Sequence, residues 1–285
     1  MNFKMDTYKK VIQANISLHT KLAGNYNTCE PHFRPENIEK VESVLKQIAS
    51  NLNNPSLLDM GCGTGFIINI AKKYFNEIHG VDVTQAMLDK VDVTGNSKIT
   101  LFNHDTGSFP AQKEHYDAVT AYSFLHHLYD IVPTIKTAFN ALKKDGVFYS
   151  DLDPNYYFWE QINNLNRNGN YDPIVKREIE MVTFKDEDIE KQFNVDKDIF
   201  NNAEYGKNIA GGFKEDEIKE KFLTIGFRKV DVSYHWYIGQ GYLINDPEFN
   251  KEERFKYADV MNKTLQKSMP LSRHLFKYLR VIATK

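Results

Sequence analysis

Cysteine is scarce in this chain. There are two, Cys29 and Cys62, and they form neither a CxxC pair nor a spaced framework. That excludes a disulfide scaffold and fits a reducing, cytoplasmic setting. Long apolar runs are missing as well. No stretch of 18 apolar residues occurs, so no membrane span or stable membrane insertion is expected. The opening MNFKMDTYKKVIQ lacks the apolar core of a signal peptide. Charge of one sign is not in excess either: 36 Lys and Arg stand against 38 Asp and Glu, for a net charge of -2. With no Lys/Arg block, a nucleic-acid partner is not expected. Internal repeats and low-complexity tracts are absent, and nothing in the sequence fixes an oligomeric state.

What is present is an ordinary globular composition, 41% hydrophobic and 26% charged over 285 residues. That is enough chain for a sizeable core. The aromatic share, 13%, suits either a rich core or a flat or cationic ligand. Residues 34–52 place Ile38, Val41, Val44, Leu45 and Ile48 at helix spacing, with Pro35 in the first turn. From SLLDMG onward strands and helices alternate. GFIINIAKKYF reads as a helix presenting Phe66, Ile70 and Phe75. EIHGVDV reads as a strand, and Thr84 as the N-cap of the next helix. KITLFNHD and YDAVTAYS read as strands, and VPTIKTAFNALKKDG as a helix closed by Gly146. VFYSDLD is a fifth strand. KEDEIKEKFLTIGF (helix), RKVDVSYHW and FKYLRVIATK (strands) resume the pattern. Such alternation predicts an α/β, doubly wound, mostly parallel sheet. Residues 1–153 are expected to hold N-terminal cap helices and the Rossmann-like core. Residues 154–210 form an insertion or lid. Residues 211–285 complete the core, with a second insertion at about 239–272.

The glycines of LLDMGCGTGF crowd the end of the first strand. A glycine-rich strand-to-helix turn sets free backbone N–H groups and a helix N-terminus beside a ligand. A P-loop needs Lys-Ser/Thr after its last glycine, whereas Phe66 and Ile67 follow Gly65. A dinucleotide fingerprint is GxGxxG, whereas Gly61, Gly63 and Gly65 give GxGxG. Asp59, two residues earlier, would repel a pyrophosphate and suits a cationic amino-acid group.

On these residues the sequence resembles the class I S-adenosylmethionine-dependent methyltransferases. The family pattern is an acidic residue, GxGxG, and an acidic residue ending the second strand; LLDMGCGTG and VDV match it. The resemblance implies a seven-stranded sheet with an antiparallel last strand and S-adenosylmethionine as cofactor, S-adenosylhomocysteine as product. It implies cofactor contacts from Asp59, Gly61, Cys62, Gly63 and Gly65. Asp82, with Val83 beside it, would accept from the ribose hydroxyls. Asp105 would take the adenine amine, with the Thr106 N–H near the ring. Met87 would cover the adenine, Tyr122 would offer its carbonyl to the cofactor ammonium, Tyr26 would close over the site, and Arg34 would pair with the cofactor carboxylate.

Methyl transfer from a sulfonium asks the protein to position and desolvate a nucleophile. An amine must be neutral, and a hydroxyl benefits from a general base. His126 and His127 follow the fourth strand. In a helical segment they point about 100° apart, so one of them, His127 in preference, is the candidate catalytic residue. They lack a third ligand at metal-site spacing, so no metal is expected. Asp151 and Asp153 end the fifth strand and precede Tyr156, Tyr157, Phe158 and Trp159; with Trp236 they are the candidate substrate contacts. The expectation is methyl transfer to N or O of a small metabolite. The alternatives are a protein or lipid-like acceptor, or a non-catalytic S-adenosylmethionine-binding regulator.

Overall fold

The computed structural model describes residues 2–182 and 186–285. Helices α1 (Asn2–Leu22) and α2 (Tyr26–Cys29) and a 3-10 turn (Pro31–Phe33) precede α3 (Pro35–Ala49). The core then runs β1 (Ser56–Met60), α4 (Phe66–Ala71), β2 (Glu77–Asp82), α5 (Gln85–Leu88), β3 (Lys98–Asn103) and β4 (Tyr116–Tyr122). A 3-10 turn (Leu125–His127), α6 (Val132–Ala141) and β5 (Leu142–Pro154) follow. Helices α7 (Tyr156–Asn163), α8 (Pro173–Val182), α9 (Asp186–Phe193) and α10 (Lys197–Ala203) and a π turn (Tyr205–Ile209) lead to α11 (Glu215–Ile225) and β6 (Lys229–Tyr237). Helices α12 (Gln240–Ile244) and α13 (Lys251–Lys267) precede β7 (Phe276–Thr284).

The seven strands form one sheet in the order β3-β2-β1-β4-β5-β7-β6. All pairs from β3 to β5 are parallel, while β7 inserts antiparallel to both β5 and β6. The doubly wound sheet with an antiparallel last strand is therefore the architecture found. The strand order reverses between β1 and β4, and a crevice opens there at the carboxyl ends of the strands.

Each sheet face is covered by helices whose apolar spacing demands it. On one face Val41 and Leu45 of α3, one turn apart, and Ile67 and Ile68 of α4 pack on Leu57, Ala118 and Tyr149. On the other, Ile135 and Ala138 of α6 and Ile218 and Phe222 of α11 pack on Leu58, Val119 and Phe148. All five residues of β1 are buried, as a central parallel strand requires. Pro35 sits in the first turn of α3, where a missing N–H costs nothing.

Three local expectations are corrected. Helix α6 ends at Ala141, so Gly146 does not close it. Leu142 is drawn into extended backbone because its side chain is fully buried in the core. It pairs with Tyr116, and the next pair is Ala118 with Val147, so residues 143–146 bulge out and Asp145 takes φ 66°. Thr84 does precede α5, but its side chain makes no cap bond; its backbone N–H donates to Asp82 Oδ1 at 2.8 Å. Helix α4 stops at Ala71, and Phe75 is buried beyond it.

Helices α7 to α10 bring apolar clusters of their own. Phe158, Trp159, Ile162 and Ile179 form one. Ile189, Val195, Phe200 and Ala203 form another with Ala14 and Leu18 of α1. Among the described residues no helix is long and apolar enough to cross a membrane.

Phe222 is fully buried, with the rings of Phe148 and Phe227 at 5.1 and 5.2 Å. Phe222→Ala is expected to lower unfolding stability by about 3–5 kcal/mol, read from the urea midpoint. A loss below about 1 kcal/mol would contradict this packing.

Candidate functional site

A cleft of about 1030 Å³, its open mouth included, lies over the ends of β1, β2 and β4. Its floor is the turn between β1 and α4. Gly61, Gly63 and Gly65 all take positive φ there (72°, 51° and 87°), which favours glycine at each. A Cβ on Gly61 would stand 2.0 Å from the Phe124 ring. Around Gly63 nothing lies within 4 Å of an added Cβ, so its backbone faces open cleft. The turn is fixed by Asp82, whose Oδ2 accepts the Gly63 N–H at 2.9 Å while Oδ1 accepts from Thr84.

Two carboxylates give the cleft its electrostatic character. Asp59 is 1% exposed; its Oδ1 accepts from the Thr120 hydroxyl at 2.7 Å, while Oδ2 has no partner. Burial pushes its carboxyl up to about 7. A buried carboxylate oxygen without a donor suits an ammonium group. Burial also raises Asp82, whose remaining lone pairs are available to ligand hydroxyls. Asp105 is already engaged: Tyr8 of α1 donates to its Oδ2 at 2.6 Å, and Ser108 donates to the same oxygen from N and Oγ.

Of the residues expected at a cofactor, Asp59, Gly61, Cys62, Gly63, Asp82, Val83, Met87, Asp105, Thr106, Tyr122 and Tyr26 line the cleft. Gly65 lies behind this lining and acts through the turn, its Cβ position 2.9 Å from Val91. Arg34 is not brought there. It precedes α3 and is exposed, whereas His32, two residues earlier, is buried in the cleft wall. Burial holds His32 down to about 4, so it is neutral at pH 7. Tyr122 contributes a buried hydroxyl, which accepts from Asn37 Nδ2 at 2.6 Å.

The two histidines separate sharply. His126 is outside the cleft lining: its backbone N–H and Nδ1 both meet Asp153 Oδ1, at 3.1 and 3.0 Å. Asp153 Oδ2 in turn accepts from Ser150 at 2.5 Å. His126 and Asp153 thus pin the turn after β4 to the end of β5, and neither is free for substrate. His127 lines the cleft, with Nδ1 2.7 Å from the Ala203 carbonyl. Because a carbonyl only accepts, Nδ1 carries the hydrogen and the neutral ring keeps its lone pair on Nε2. Burial, then the neighbouring His126, holds His127 well below the usual histidine range. Glu204, absent from the sequence expectations, lies 3.9 Å from His126 Nε2 and 3.7 Å from His127 Nδ1. The three side chains form a cluster of potential ligand atoms, but Lys207 already stands 2.6 Å from Glu204.

None of the expected substrate contacts is in the cleft lining. Asp151 is bound to Arg280. Trp159 joins Phe158 in the apolar cluster under α8. The Tyr157 ring lies 3.5 Å from the Arg273 guanidinium, and Tyr156 faces Lys214. Trp236 packs near Lys40. Instead, one face of α1 enters the cleft, with Tyr8, Val11, Ile12, Asn15 and His19. Their spacing, one helical face over three turns, was the available signal. Asn15 donates to the His127 carbonyl at 3.0 Å, and the His19 ring meets that of His127 edge-on at 4.9 Å.

Fold and site together give a doubly wound α/β domain with a glycine-floored cleft at its switch point and a buried carboxylate, Asp59, with one oxygen unpartnered. Residues 58–150 match the family model described as a methyltransferase domain. This region belongs to the class I S-adenosylmethionine-dependent methyltransferases, whose cofactor is S-adenosylmethionine. The chain is 27% identical over 158 residues to a ubiquinone biosynthesis O-methyltransferase of Shewanella halifaxensis, covering 53% of this chain and 67% of that one. It is 31% identical over 117 residues to the enzyme of that name from Hydrogenovibrio crunogenus, covering 39% and 48%. A putative methyltransferase of Bacillus subtilis matches at 29% over 107 residues, covering 35% and 43%. The match therefore spans between 43% and 67% of the length of these relatives. In fold the chain is similar to a phosphoethanolamine N-methyltransferase 2 of Haemonchus contortus, with TM-score 0.55, 14% identity and coverage of 93% and 56%. A methyltransferase from Mesorhizobium loti gives 0.52 at 13% identity, with coverage of 85% and 96%.

The unpartnered Asp59 oxygen and the open Gly63 backbone fit this cofactor. Asp82→Ala is expected to weaken its binding by about 1–3 kcal/mol, measured by calorimetry. An ammonium held by Asp59 would make binding pH-dependent. Below its raised value of about 7 the unliganded carboxyl is protonated and offers a cation nothing. An α-amino group stays charged up to about 7.7–8.0. Affinity should rise from pH 5.5 to 7, and Asp59→Asn should flatten the rise; an unchanged pH profile in that variant would contradict the assignment.

Proposed function

We propose that the protein transfers a methyl group to a hydroxyl oxygen of a small-molecule acceptor, with His127 as general base. The observation that carries this reading is the neutral His127 ring at the cleft wall. Its Nδ1 hydrogen is held by the Ala203 carbonyl, and among the described residues no hydrogen bond reaches its Nε2. A base of this kind takes the hydroxyl proton as the oxygen becomes nucleophilic. When bound, S-adenosylmethionine supplies an electrophilic methyl group on a positively charged sulfur. Asp59 would hold its ammonium end, Asp82 its ribose, and the turn from Gly61 to Gly65 would admit its backbone-facing edge. Helix α1 covers the cleft through Tyr8 and Asn15 and keeps water from the reacting groups.

The walls favour a flat acceptor. The Tyr26 and His32 rings stand 5.8 Å apart, and the His32 and Tyr122 rings 5.9 Å apart. These rings pack tilted or edge to face on one another and form a continuous aromatic wall, against which an aromatic hydroxyl packs; such a hydroxyl ionises more readily than an alkyl one. The relatives named for O-methyl transfer support oxygen over nitrogen, as does the base itself, since an amine acceptor needs only to be neutral.

The test is formation of S-adenosylhomocysteine with a panel of phenols and catechols. His127→Gln is expected to lower kcat by about 10²–10⁴ while leaving cofactor affinity within about twofold. His126→Gln should act through the Asp153 anchor, lowering stability. Full turnover in the His127 variant with a substrate the native protein uses would refute the base assignment.

A further inference from the structure

One group of side chains is used neither by the cofactor cleft nor by His127. Lys40 of α3, Asp151 of β5, Arg280 of β7, and His235 and Trp236 of β6 meet over the strand ends. Arg280 donates to Asp151 Oδ2 from Nε at 2.8 Å and from Nη2 at 2.5 Å. The Tyr149 hydroxyl donates to the same oxygen at 3.1 Å, and the Leu152 N–H to Oδ1 at 2.9 Å. That carboxylate is satisfied. Lys40 Nζ stops 3.9 Å from it, beyond hydrogen-bond distance. Among the described residues Lys40 makes no ion pair with another carboxylate.

Two donors are thus left over in one place. The Lys40 ammonium lies 5.6 Å from the centre of the Trp236 ring, and Trp236 Nε1 is buried with no acceptor. The charges do not cancel: two cations face one carboxylate. His235 adds none, because burial, then Lys40, holds it down to about 3. Trp236 takes φ 59° and Leu152 φ 62°, the left-handed region, which non-glycine residues occupy mainly where structure or function imposes it. Lys40 keeps 29% of its side chain accessible, yet burial pulls its ammonium down to about 8. Its ammonium is thus partly accessible and short of a close anionic partner.

This group sits behind the cleft wall formed by Tyr122. Tyr122 lines the cleft, pairs with Asp151 across the strands, and receives Asn37 Nδ2 at 2.6 Å. Asn37 is one helical turn from Lys40 on α3. We propose that Lys40 Nζ and Trp236 Nε1 form an oxyanion subsite for the methyl acceptor, so that the acceptor carries a carboxylate or phosphate beyond its reacting hydroxyl. The inference rests on the acceptor reading above and adds its charge: an acidic phenol or catechol is preferred over a neutral one.

The test titrates protein saturated with S-adenosylhomocysteine against catechol, 3,4-dihydroxybenzoate and phenyl phosphate. At least one anionic probe is expected to bind ten or more times as tightly as catechol, and the better of the two distinguishes carboxylate from phosphate. Lys40→Met should remove the preference, Lys40→Arg should keep part of it, and Trp236→Phe should weaken it severalfold. Affinity for S-adenosylhomocysteine should be unchanged throughout and reports an intact fold. The proposal is overturned if catechol binds as tightly as both anions, if no probe binds, or if an intact Lys40→Met protein keeps the preference. Should Lys40→Met disturb cofactor binding, Trp236→Phe decides, and unchanged anion affinity there overturns the subsite. Turnover separates the two readings. Tight binding of 3,4-dihydroxybenzoate without methylation refutes the O-transfer reading and leaves the subsite standing. Methylation of catechol and the acid with equal KM does the reverse.

Discussion

The site depends on one carboxylate accepting two backbone N–H groups. Asp82, at the end of β2, holds Gly63 on one oxygen and Thr84 on the other. The first bond ties the turn after β1 to the neighbouring strand; the second sets the start of α5. Without it, a turn made of three positive-φ glycines would have little to hold it in place, since glycine surrenders more conformational freedom on folding than any other residue. Hydrogen bonds to an ionised acceptor are worth more than neutral ones, about 1.5–3 kcal/mol each. The cleft floor is therefore preorganised, and its shape does not wait for a ligand.

A second anchor sets the other half of the site. Asp153 receives the His126 backbone and ring and the Ser150 hydroxyl, in a buried network with few alternatives. It fixes the turn that carries His127. Adjacent histidines thus divide the work: one is consumed by structure so that the other faces the cleft. The ring of His127 is then oriented from the far side by a carbonyl of the residue ending α10, so the helices between β5 and α11 contribute to the site through the backbone.

The core and the cofactor floor were legible in the sequence because their signals are local. Strand alternation gave the sheet, and the glycine spacing with Asp59, Asp82 and Asp105 marked three strand ends that the topology brings to one edge. What failed was whatever depends on phase or distance. Arg34 and His32 differ by two residues at a helix entry, and the chain buries the second rather than the first. Gly146 resembled a helix cap, but the burial of Leu142 ended the helix sooner. The aromatic run at Tyr156 mostly seats a helix, which composition alone does not distinguish from a binding wall. Glu204 reaches the site from an element remote in sequence with no local pattern to place it there; Tyr8 and Asn15 share a helix face, but nothing local says which surface that face covers.

Helix α1 shows why these remote contacts matter together. Tyr8 near its start binds Asp105, and Asn15, two turns on, binds the His127 carbonyl. Its adjacent face packs Ala14 and Leu18 against α10, the helix whose last carbonyl orients His127. One rigid element therefore touches the Asp105 end of the cleft, the candidate base and the support of that base. The neutral Asn15 bond taken singly is worth about 0.5–1.5 kcal/mol net, and the Tyr8 bond to a carboxylate about 1.5–3 kcal/mol. Their strength lies in sharing one helix: a displacement that breaks the Tyr8 contact also strains the contact at Asn15. Coverage of the cleft and orientation of His127 are consequently properties of the same packing.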